Sequence, residues 1–349
     1  MKRLMKVLGT IASISISVVA IGSSAPAQTS TAASAAGYNY APRPLKVHQT
    51  LTVSIPNTFL QNSAVLAANY FHEFAKENLT VNTVVIPNPN SMPPLATGGI
   101  DIAIESWGPS VYNAIASGQK LAVIGDPLSQ LPGLGFYVQS QYAGCAPACL
   151  RGLTVAMPGG LTTSAAAPLA AWLAKGHLNL SDVHILNIPV LANVPIALTQ
   201  NVAQAAFIDP PFQKPLIADG SIKLSELLAP GNLLTCFVVG PAGFAHPEAV
   251  EAFLRAVGRT MHDYLTPGFL HRRATVDAYE QILGESKSEV ETSTEPIFDP
   301  TLSLYGYAPK ILVQQKTFLS VGGLLNYSTP LPASEVVDSK FLSAALGTK

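Results

Sequence analysis

The chain has 349 residues and a formal net charge of −1 at pH 7, and only 12% of its residues are charged. Soluble domains usually contain roughly 25% charged residues, so the folded protein is expected to have an unusually neutral surface. Such a surface offers no basic patch, which excludes nucleic acid and an anionic membrane face as partners. About 305 residues follow the first 44, too many for one ordinary core, and this length predicts two lobes.

The N-terminus has the three regions of a secretory signal peptide. Basic residues within the first six positions precede an uncharged apolar run over 7–21, and the Ala-Pro-Ala of 25–27 suits a signal peptidase. Residues 1–27 are therefore predicted to direct the protein to the periplasm or elsewhere outside the cytoplasm, with an uncleaved N-terminal anchor as the alternative. Residues 28–44 are rich in Ser, Thr, Ala, Gly and Pro, which predicts a flexible leader.

Cysteine is scarce in this sequence. Cys145 and Cys149 are separated by Ala-Pro-Ala, and in an oxidising compartment they could close a small disulfide loop or stay reduced. Cys236 lies in the apolar run 233–239, which predicts a buried, inert thiol. The histidines show no HxxxH or HxxH spacing, so neither a metal site nor a cofactor is predicted.

Strand-like and helix-like segments alternate along the remaining chain. The predicted strands cover residues 51–55, 81–86, 100–104, 121–124, 135–139, 153–157, 184–188, 205–208 and 233–239. Helical runs are predicted over 63–78, from 109, after 164, over 194–201, from 246 and over 308–319. This alternation predicts mostly parallel sheets covered by helices on both faces, with ligands at the carboxyl ends of the strands.

One stretch, residues 150–178, contains the strongest functional pattern. A strand over 153–157 is followed by Pro-Gly-Gly, then by three hydroxyl residues, then by a helical run. The first turn of such a helix presents free backbone N–H groups at the end of a sheet, where they can hold a small polar or anionic group. No nucleophile elbow, phosphate-binding loop, dinucleotide fingerprint or HExxH motif is present, so the sequence predicts a binding protein and no enzyme.

Three motifs carry a resemblance to a known family. They are Leu95–Ala103 (LATGGIDIA), Leu150–Gly160 (LRGLTVAMPGG) and Ala205–Phe212 (AAFIDPPF). In this order they resemble the substrate-binding proteins of bacterial ABC importers, in the SsuA/THI5-like branch of aliphatic sulfonate, taurine, nitrate and thiamine-pyrimidine-related proteins. Two departures stand out: Gln204 replaces a frequent Asp, and Met92-Pro-Pro interrupts a usually helical segment.

The resemblance implies an α/β fold of the periplasmic-binding-protein-like type II class, with two lobes, a two-strand hinge and a ligand cleft between them. Residues 45–134 and 240–349 would form lobe 1, and residues 135–239 would form lobe 2 with the hinge strands. The implied function is that of a monomeric solute-binding component that delivers a sulfonate-, nitrate- or pyrimidine-like molecule to an ABC permease with its ATPase. A sensing ectodomain, a chemoreceptor partner and a pyrimidine-synthase-like enzyme are the alternatives.

The ligand-binding residues are expected in the loops at the carboxyl ends of strands. The expected residues are Asn57, Thr58, Phe59, Gln61, Glu105, Ser106, Trp107, Gly160, Thr162, Thr163, Ser164, Asp209 and Phe212, with Leu60, Asn62 and Ser110 in the same loops. Each has a structural alternative: the hydroxyls can cap a helix, the aromatics can be core, and the aspartate can fix a turn. These loops carry acidic groups and no Lys or Arg, which favours a neutral, zwitterionic or amine-bearing ligand, whereas the family favours sulfonate or nitrate.

Overall fold

The computed structural model describes residues 37–218, 220–228 and 232–347. The predicted signal peptide and the first part of the predicted leader lie outside these residues. Within the described part of the chain, no helix is both long and apolar enough to cross a membrane.

The strands of the described residues form two five-stranded sheets and one two-stranded ribbon. In chain order they are β1 (Gln49–Ile55), β2 (Leu79–Val85), β3 (Ile102–Ser106), β4 (Ala122–Gly125), β5 (Leu128–Gln130), β6 (Gly135–Gln139), β7 (Thr154–Pro158), β8 (His184–Ile188), β9 (Ala205–Ile208), β10 (Ile222–Leu227), β11 (Thr235–Val239) and β12 (Ile297–Phe298). The first sheet has the order β2-β1-β3-β11-β4 and the second has β10-β6-β9-β7-β8, while β5 pairs with β12. Every strand predicted from the sequence is present, with small shifts at the ends.

The helices cover both sheets. They are α1 (Ala64–Tyr70), α2 (Met92–Ala96), α3 (Pro109–Ala116), α4 (Ala166–Lys175), α5 (Asn193–Thr199), α6 (Lys214–Ala218), α7 (Pro241–Ala245), α8 (Pro247–Tyr264), α9 (Arg273–Leu283), α10 (Lys287–Thr292), α11 (Tyr307–Val321), α12 (Ala333–Val336) and α13 (Lys340–Leu346). The Met92-Pro-Pro segment is helical, because its prolines occupy the first turn, where a missing N–H costs nothing. The run predicted as one helix over 63–78 divides, because His72 has a φ of 59°.

Parallel pairing brings the carboxyl ends of several strands to the same edge of each sheet. In the first sheet β1 runs parallel to β2 and β3, and in the second β7 runs parallel to β8 and β9. Strand β3 is buried at all of its residues, as expected for a central strand covered on both faces. Helix α8 covers the first sheet with an apolar stripe that includes Val250, Phe253 and Val257, all fully buried.

The chain passes between the two sheets twice, and this differs from the predicted boundary at residue 239. It leaves the first sheet after β4 and returns to it at β11, which pairs antiparallel with β3 and β4. Strand β11 therefore belongs to the first lobe, because its residues complete the hydrogen bonding between two strands of that sheet. We use "first lobe" and "second lobe" for the parts of the chain built on the first and second sheets.

A buried ion-pair network holds the end of the predicted leader, which corrects the expectation that residues 37–44 are flexible. Arg259 contacts both Glu73 and Glu77 at 2.6 and 2.7 Å, and Arg255 contacts Glu77 at 2.6 Å. Arg259 also donates to the carbonyl of Tyr40 at 2.8 Å. The guanidinium groups need acceptors beyond the two carboxylates, and the backbone of this segment supplies them.

One disulfide and one free thiol account for the three cysteines. Cys145 and Cys149, for which the sequence left both states open, are joined in a disulfide with their Cα atoms 5.5 Å apart. Cys236 is a free thiol on β11 with no exposed surface, which confirms that it is buried. Burial raises the pKa of this thiol and so disfavours the reactive thiolate.

Candidate ligand-binding site

A cleft of ≈260 Å³ lies between the two sheets, at the carboxyl ends of their parallel strands. The first lobe contributes the loops after β1 and β2, the end of β3 and the start of β11. The second lobe contributes the loops after β7, β8 and β9. The lining residues are Pro56, Asn57, Phe59, Gln61, Asn62, Pro87, Asn88, Ser106, Leu128, Leu131, Leu134, Pro158, Gly159, Thr163, Ser164, Ala165, Pro189, Val190, Leu191, Ala192, Phe207, Asp209, Leu234 and Thr235.

Direct contacts between the lobes keep the cleft narrow. Gln61 Nε2 of the first lobe donates to Asp209 Oδ1 of the second at 3.1 Å. Ser106 Oγ accepts the backbone N–H of Ser164 at 2.7 Å and lies 2.8 Å from the Ser164 hydroxyl. The Phe59 and Phe212 rings meet edge to face, with centroids 5.2 Å apart. The structure is therefore that of a closed cleft.

The lobes approach each other closely at Gly108. A Cβ atom on this residue would lie 2.5 Å from the carbonyl carbon of Thr163 and 2.6 Å from the carbonyl oxygen of Thr162. Gly108 has a φ of −144° and a ψ of −179°, which any residue can adopt. The absence of a side chain is thus required by the facing lobe and not by the local backbone.

About half of the predicted site residues line the cleft. These are Asn57, Phe59, Gln61, Ser106, Thr163, Ser164 and Asp209, together with Asn62. Thr58 and Thr162 are exposed outside it, and Phe212 reaches it only through its contact with Phe59. Gly160 is buried beside Asn187, and a Cβ atom added to this glycine would lie 3.3 Å from the Cβ of Asn187.

Trp107 is part of the core, in contrast to the expectation of a ligand contact. Its side chain has no exposed surface, and its indole N–H donates to Asp126 Oδ2 at 3.3 Å. Tyr307 donates to the same oxygen at 3.1 Å, and the backbone N–H of Leu128 donates to the other at 3.0 Å. Burial raises the pKa of Asp126 to about 7 despite these hydrogen bonds, which act in the opposite direction.

Glu105 also lies behind the wall of the cleft. It is fully buried, and Ser91 Oγ donates to its Oε1. With its amide nitrogen toward Glu105, Asn88 donates to both carboxylate oxygens at 3.2 and 3.3 Å and accepts the Ser106 N–H at 3.1 Å. Burial raises the pKa of Glu105 to about 8. Glu105 therefore orients Asn88, which does line the cleft.

The threonine hydroxyls before α4 form hydrogen bonds with nearby backbone carbonyl groups of the same loop. Thr162 Oγ1 donates to the carbonyl of Gly159 at 2.7 Å, and Thr163 Oγ1 lies 3.3 Å from the carbonyl of Gly160. None of them caps α4, whose N-cap position is Ala165. The expected cap is replaced by a local turn, and Ser164 is the hydroxyl that contacts the other lobe.

Two groups of lining residues were not predicted. Residues 87–88 and 189–192 follow β2 and β8, so the rule that selected the other loops would also have selected these. Leu128, Leu131 and Leu134 come from the segment that links the lobes, and nothing in their spacing indicates a cleft. They make one wall apolar.

Within the described part of the chain, Asp209 is the only titratable residue that lines the cleft. Desolvation raises the pKa of its carboxyl to about 7, and no charged neighbour contributes to the shift. Elsewhere in the described part of the chain, His, Cys, Asp and Glu side chains form no cluster of three or more that could hold a metal ion. The cleft thus combines apolar walls, neutral amides and hydroxyls, and one carboxyl group.

Comparison with known proteins identifies relatives of this architecture. Residues 63–267 match the family described as NMT1/THI5 like. The fold is similar to that of the alkanesulfonate-binding protein SsuA from Xanthomonas axonopodis pv. citri bound to MOPS, with a TM-score of 0.63 and 20% identity, covering 84% of this chain and 99% of that one. The periplasmic nitrate-binding protein NrtA from Synechocystis PCC 6803 gives a TM-score of 0.64 and 15% identity, with coverage of 87% and 89%.

The fold is also similar to that of an enzyme. The desulfurization enzyme DSZB has a TM-score of 0.54 and 17% identity, covering 85% of this chain and 99% of that one. No curated protein sequence matches the chain. The likeness establishes the periplasmic-binding-protein fold, which binding proteins and at least one enzyme share.

Proposed function

The chain belongs to the NMT1/THI5-like family, and from this premise we propose that it is the extracytoplasmic solute-binding component of an ABC importer. One observation carries the proposal: a cleft of ≈260 Å³ has walls from both lobes, joined across it by Gln61 and Asp209. A ligand in such a cleft contacts both lobes only when they are closed, so it favours closure. The closed protein then delivers the ligand to a permease with its ATPase.

The proposed protein acts as a monomer and releases its ligand unchanged. It uses no cofactor, because recognition requires only shape, apolar contact and a few polar groups. Sulfonate-, nitrate- and pyrimidine-like molecules are the ligands that the family suggests. Micromolar binding needs about 8 kcal/mol, which apolar contacts and a few hydrogen bonds from the lining residues can supply.

Native mass spectrometry of the protein purified from its own host tests this function. We expect one small molecule bound per chain, recovered with an unchanged mass after release and rebinding. A neighbouring permease gene would support transport over sensing. Progressive conversion of the bound molecule into a product would contradict the proposal.

Catalysis is the second candidate, because DSZB shares the fold. An enzyme of this shape would need a reactive group in the cleft. Cys236, the free thiol, is fully buried on β11 and does not line the cleft. Incubation of the purified protein with the molecule it carries, followed by mass analysis of the solution, separates catalysis from binding.

A further inference from the structure

The charge of the cleft points to one class of ligand. The family suggests anions, and an anion is usually held by Lys, Arg or His side chains or by several free N–H groups. Among the described residues, no Lys, Arg or His lines this cleft, and the one titratable group in its lining is the carboxyl of Asp209. An anion placed here would be repelled by this carboxyl group whenever the group is ionised, and the apolar walls strengthen that repulsion.

The side-chain amides fix which atoms remain free to meet a ligand. The backbone N–H of Phe59 donates to Asn57 at 3.0 Å, so the Asn57 atom at that position is its oxygen. Asn62 donates to the same oxygen at 2.9 Å, which identifies the contacting atom of Asn62 as nitrogen. The remaining atom of Asn62 is therefore Oδ1, an acceptor, and it is buried without a partner among the described residues.

Two further oxygens of the lining bear on the ligand. Thr235 Oγ1 is also buried without a partner within the described part of the chain, but a hydroxyl both donates and accepts, so it does not select the charge of the ligand. Gln61 occupies Asp209 Oδ1 at 3.1 Å, whereas Oδ2 receives no hydrogen bond from the described residues. An unpaired carboxylate oxygen of this kind is satisfied by a ligand that donates hydrogen bonds. The elevated pKa of Asp209, about 7, has desolvation as its cause, so the carboxyl also lacks a positive neighbour.

The remaining walls determine the body of the ligand. They are mostly apolar and include Leu128, Leu131, Leu134, Phe207 and residues of the loop 189–192. A volume of ≈260 Å³ is small for a ligand-binding cleft, so the ligand is compact as well as largely apolar.

We propose that the ligand of this cleft is a small apolar molecule with one protonated amine, and that Asp209 is its counter-ion and the residue that determines specificity. This inference rests on the proposed binding function. Gln61 acts as a positioning residue, because its amide holds Oδ1 and directs Oδ2 toward the ligand. The acceptors on the facing lobe contribute further hydrogen bonds to the ammonium group.

The test uses three probes that share a ring and differ in charge: benzylamine, benzyl alcohol and phenylmethanesulfonate. Isothermal titration calorimetry at neutral pH should give benzylamine an affinity at least about tenfold above the other two, as expected for a hydrogen bond to a charged group. Asp209→Asn should reduce that preference by about tenfold or more. Asp277→Asn, which neutralises an exposed carboxylate on α9, is the matched control and should change nothing.

Several outcomes would overturn the inference. They are a preference for the sulfonate in the wild type, an unchanged preference in Asp209→Asn, or an anion as the molecule that co-purifies from the host. Urea unfolding of Asp209→Asn confirms that the variant is folded. If no probe binds, the charge of the co-purified molecule decides. A co-purified anion contradicts the amine and leaves the binding function intact, whereas chemical conversion of the molecule contradicts the binding function itself.

Discussion

The contact at Gly108 gives a direct way to perturb closure without touching the cleft wall. In Gly108→Ala the new Cβ would lie 2.5 Å from the carbonyl carbon of Thr163, against an ordinary contact distance of 3.4 Å. The lobes must therefore separate by about 0.9 Å at this point, because backbone atoms cannot rotate away as a side chain can. Overpacking of this kind costs about 1–3 kcal/mol. The closed population should fall by about 5- to 150-fold.

The open protein should not be harmed by the same change. Gly108 has an extended backbone, and alanine in a permitted conformation stabilises a protein by about 0.4–1 kcal/mol through the unfolded state. We therefore expect Gly108→Ala to unfold in urea at the same or slightly higher concentration than the wild type. Gly144→Ala is the matched control, because a Cβ there has nothing within 4 Å.

Closure can be measured by the distance between two spin labels, on cysteines introduced at Gln119 in the first lobe and Val202 in the second. Both positions are exposed, the native Cys236 is buried, and the other two cysteines are bonded to each other. The wild type should show a short-distance population that is nearly absent in Gly108→Ala and unchanged in Gly144→Ala. If the variant keeps the short distance, the loop at Thr162 and Thr163 yields instead of the lobes, and the reasoning fails.

Three further predictions concern stability. Trp107→Phe removes the N–H that donates to Asp126 and opens a void in the core, so urea unfolding should show a free energy of unfolding lower by about 2–4 kcal/mol. The preference among the three probes should not change. Weaker probe binding without a loss of stability would show instead that Trp107 contacts the ligand. Arg259→Leu should lower the free energy of unfolding by about 3–5 kcal/mol in the same assay, because it leaves buried carboxylates unpaired. Its control, Arg273→Ala, removes an exposed ion pair and should lower it by less than about 0.5 kcal/mol. Equal losses in the two variants would contradict the stabilising role of the buried network. Burial raises the pKa of Asp209 to about 7 in the folded protein, compared with about 4 in the unfolded chain. Between these pH values the folded state therefore binds a proton that the unfolded state releases. The free energy of unfolding should fall as pH rises through this range, by up to about 1.4 kcal/mol per pH unit. Asp209→Asn should remove this share of the slope, and parallel pH profiles for variant and wild type would refute it.

The loops around the cleft could be predicted because parallel strands end at the same edge of a sheet. That rule placed Asn57, Ser106, Ser164 and Asp209 in one cleft from strand boundaries alone. It did not determine which side chains of an extended segment face the ligand. The side chains of successive residues in a strand point to opposite faces of the sheet. Either Ser106 or its neighbours Glu105 and Trp107 could therefore line the cleft, and the sequence does not distinguish these two arrangements.

The charged residues of the buried ion-pair network have a spacing that can be read from the sequence. Arg255 and Arg259 are four residues apart on α8, a spacing that places them on the same face of the helix. Glu73 and Glu77 have the same spacing in the segment that follows α1. Two acidic and two basic groups in matching registers, in a chain with few charges, could have been paired. What could not be predicted is their burial, because it depends on how α8 packs against the first sheet.

Closure and ligand charge are connected through Asp209. Closing the lobes removes this carboxyl from water, and the single hydrogen bond from Gln61 offsets only part of that cost. The neutral contacts between Ser106 and Ser164 favour closure whether or not a ligand is present. With the proposed amine bound, the carboxyl gains a counter-ion only in the closed state, so the charge of the ligand itself shifts the balance toward closure. A neutral molecule of the same shape would fill the cleft without this contribution, which is why the amine and the alcohol probes are expected to differ in lobe separation as well as in affinity.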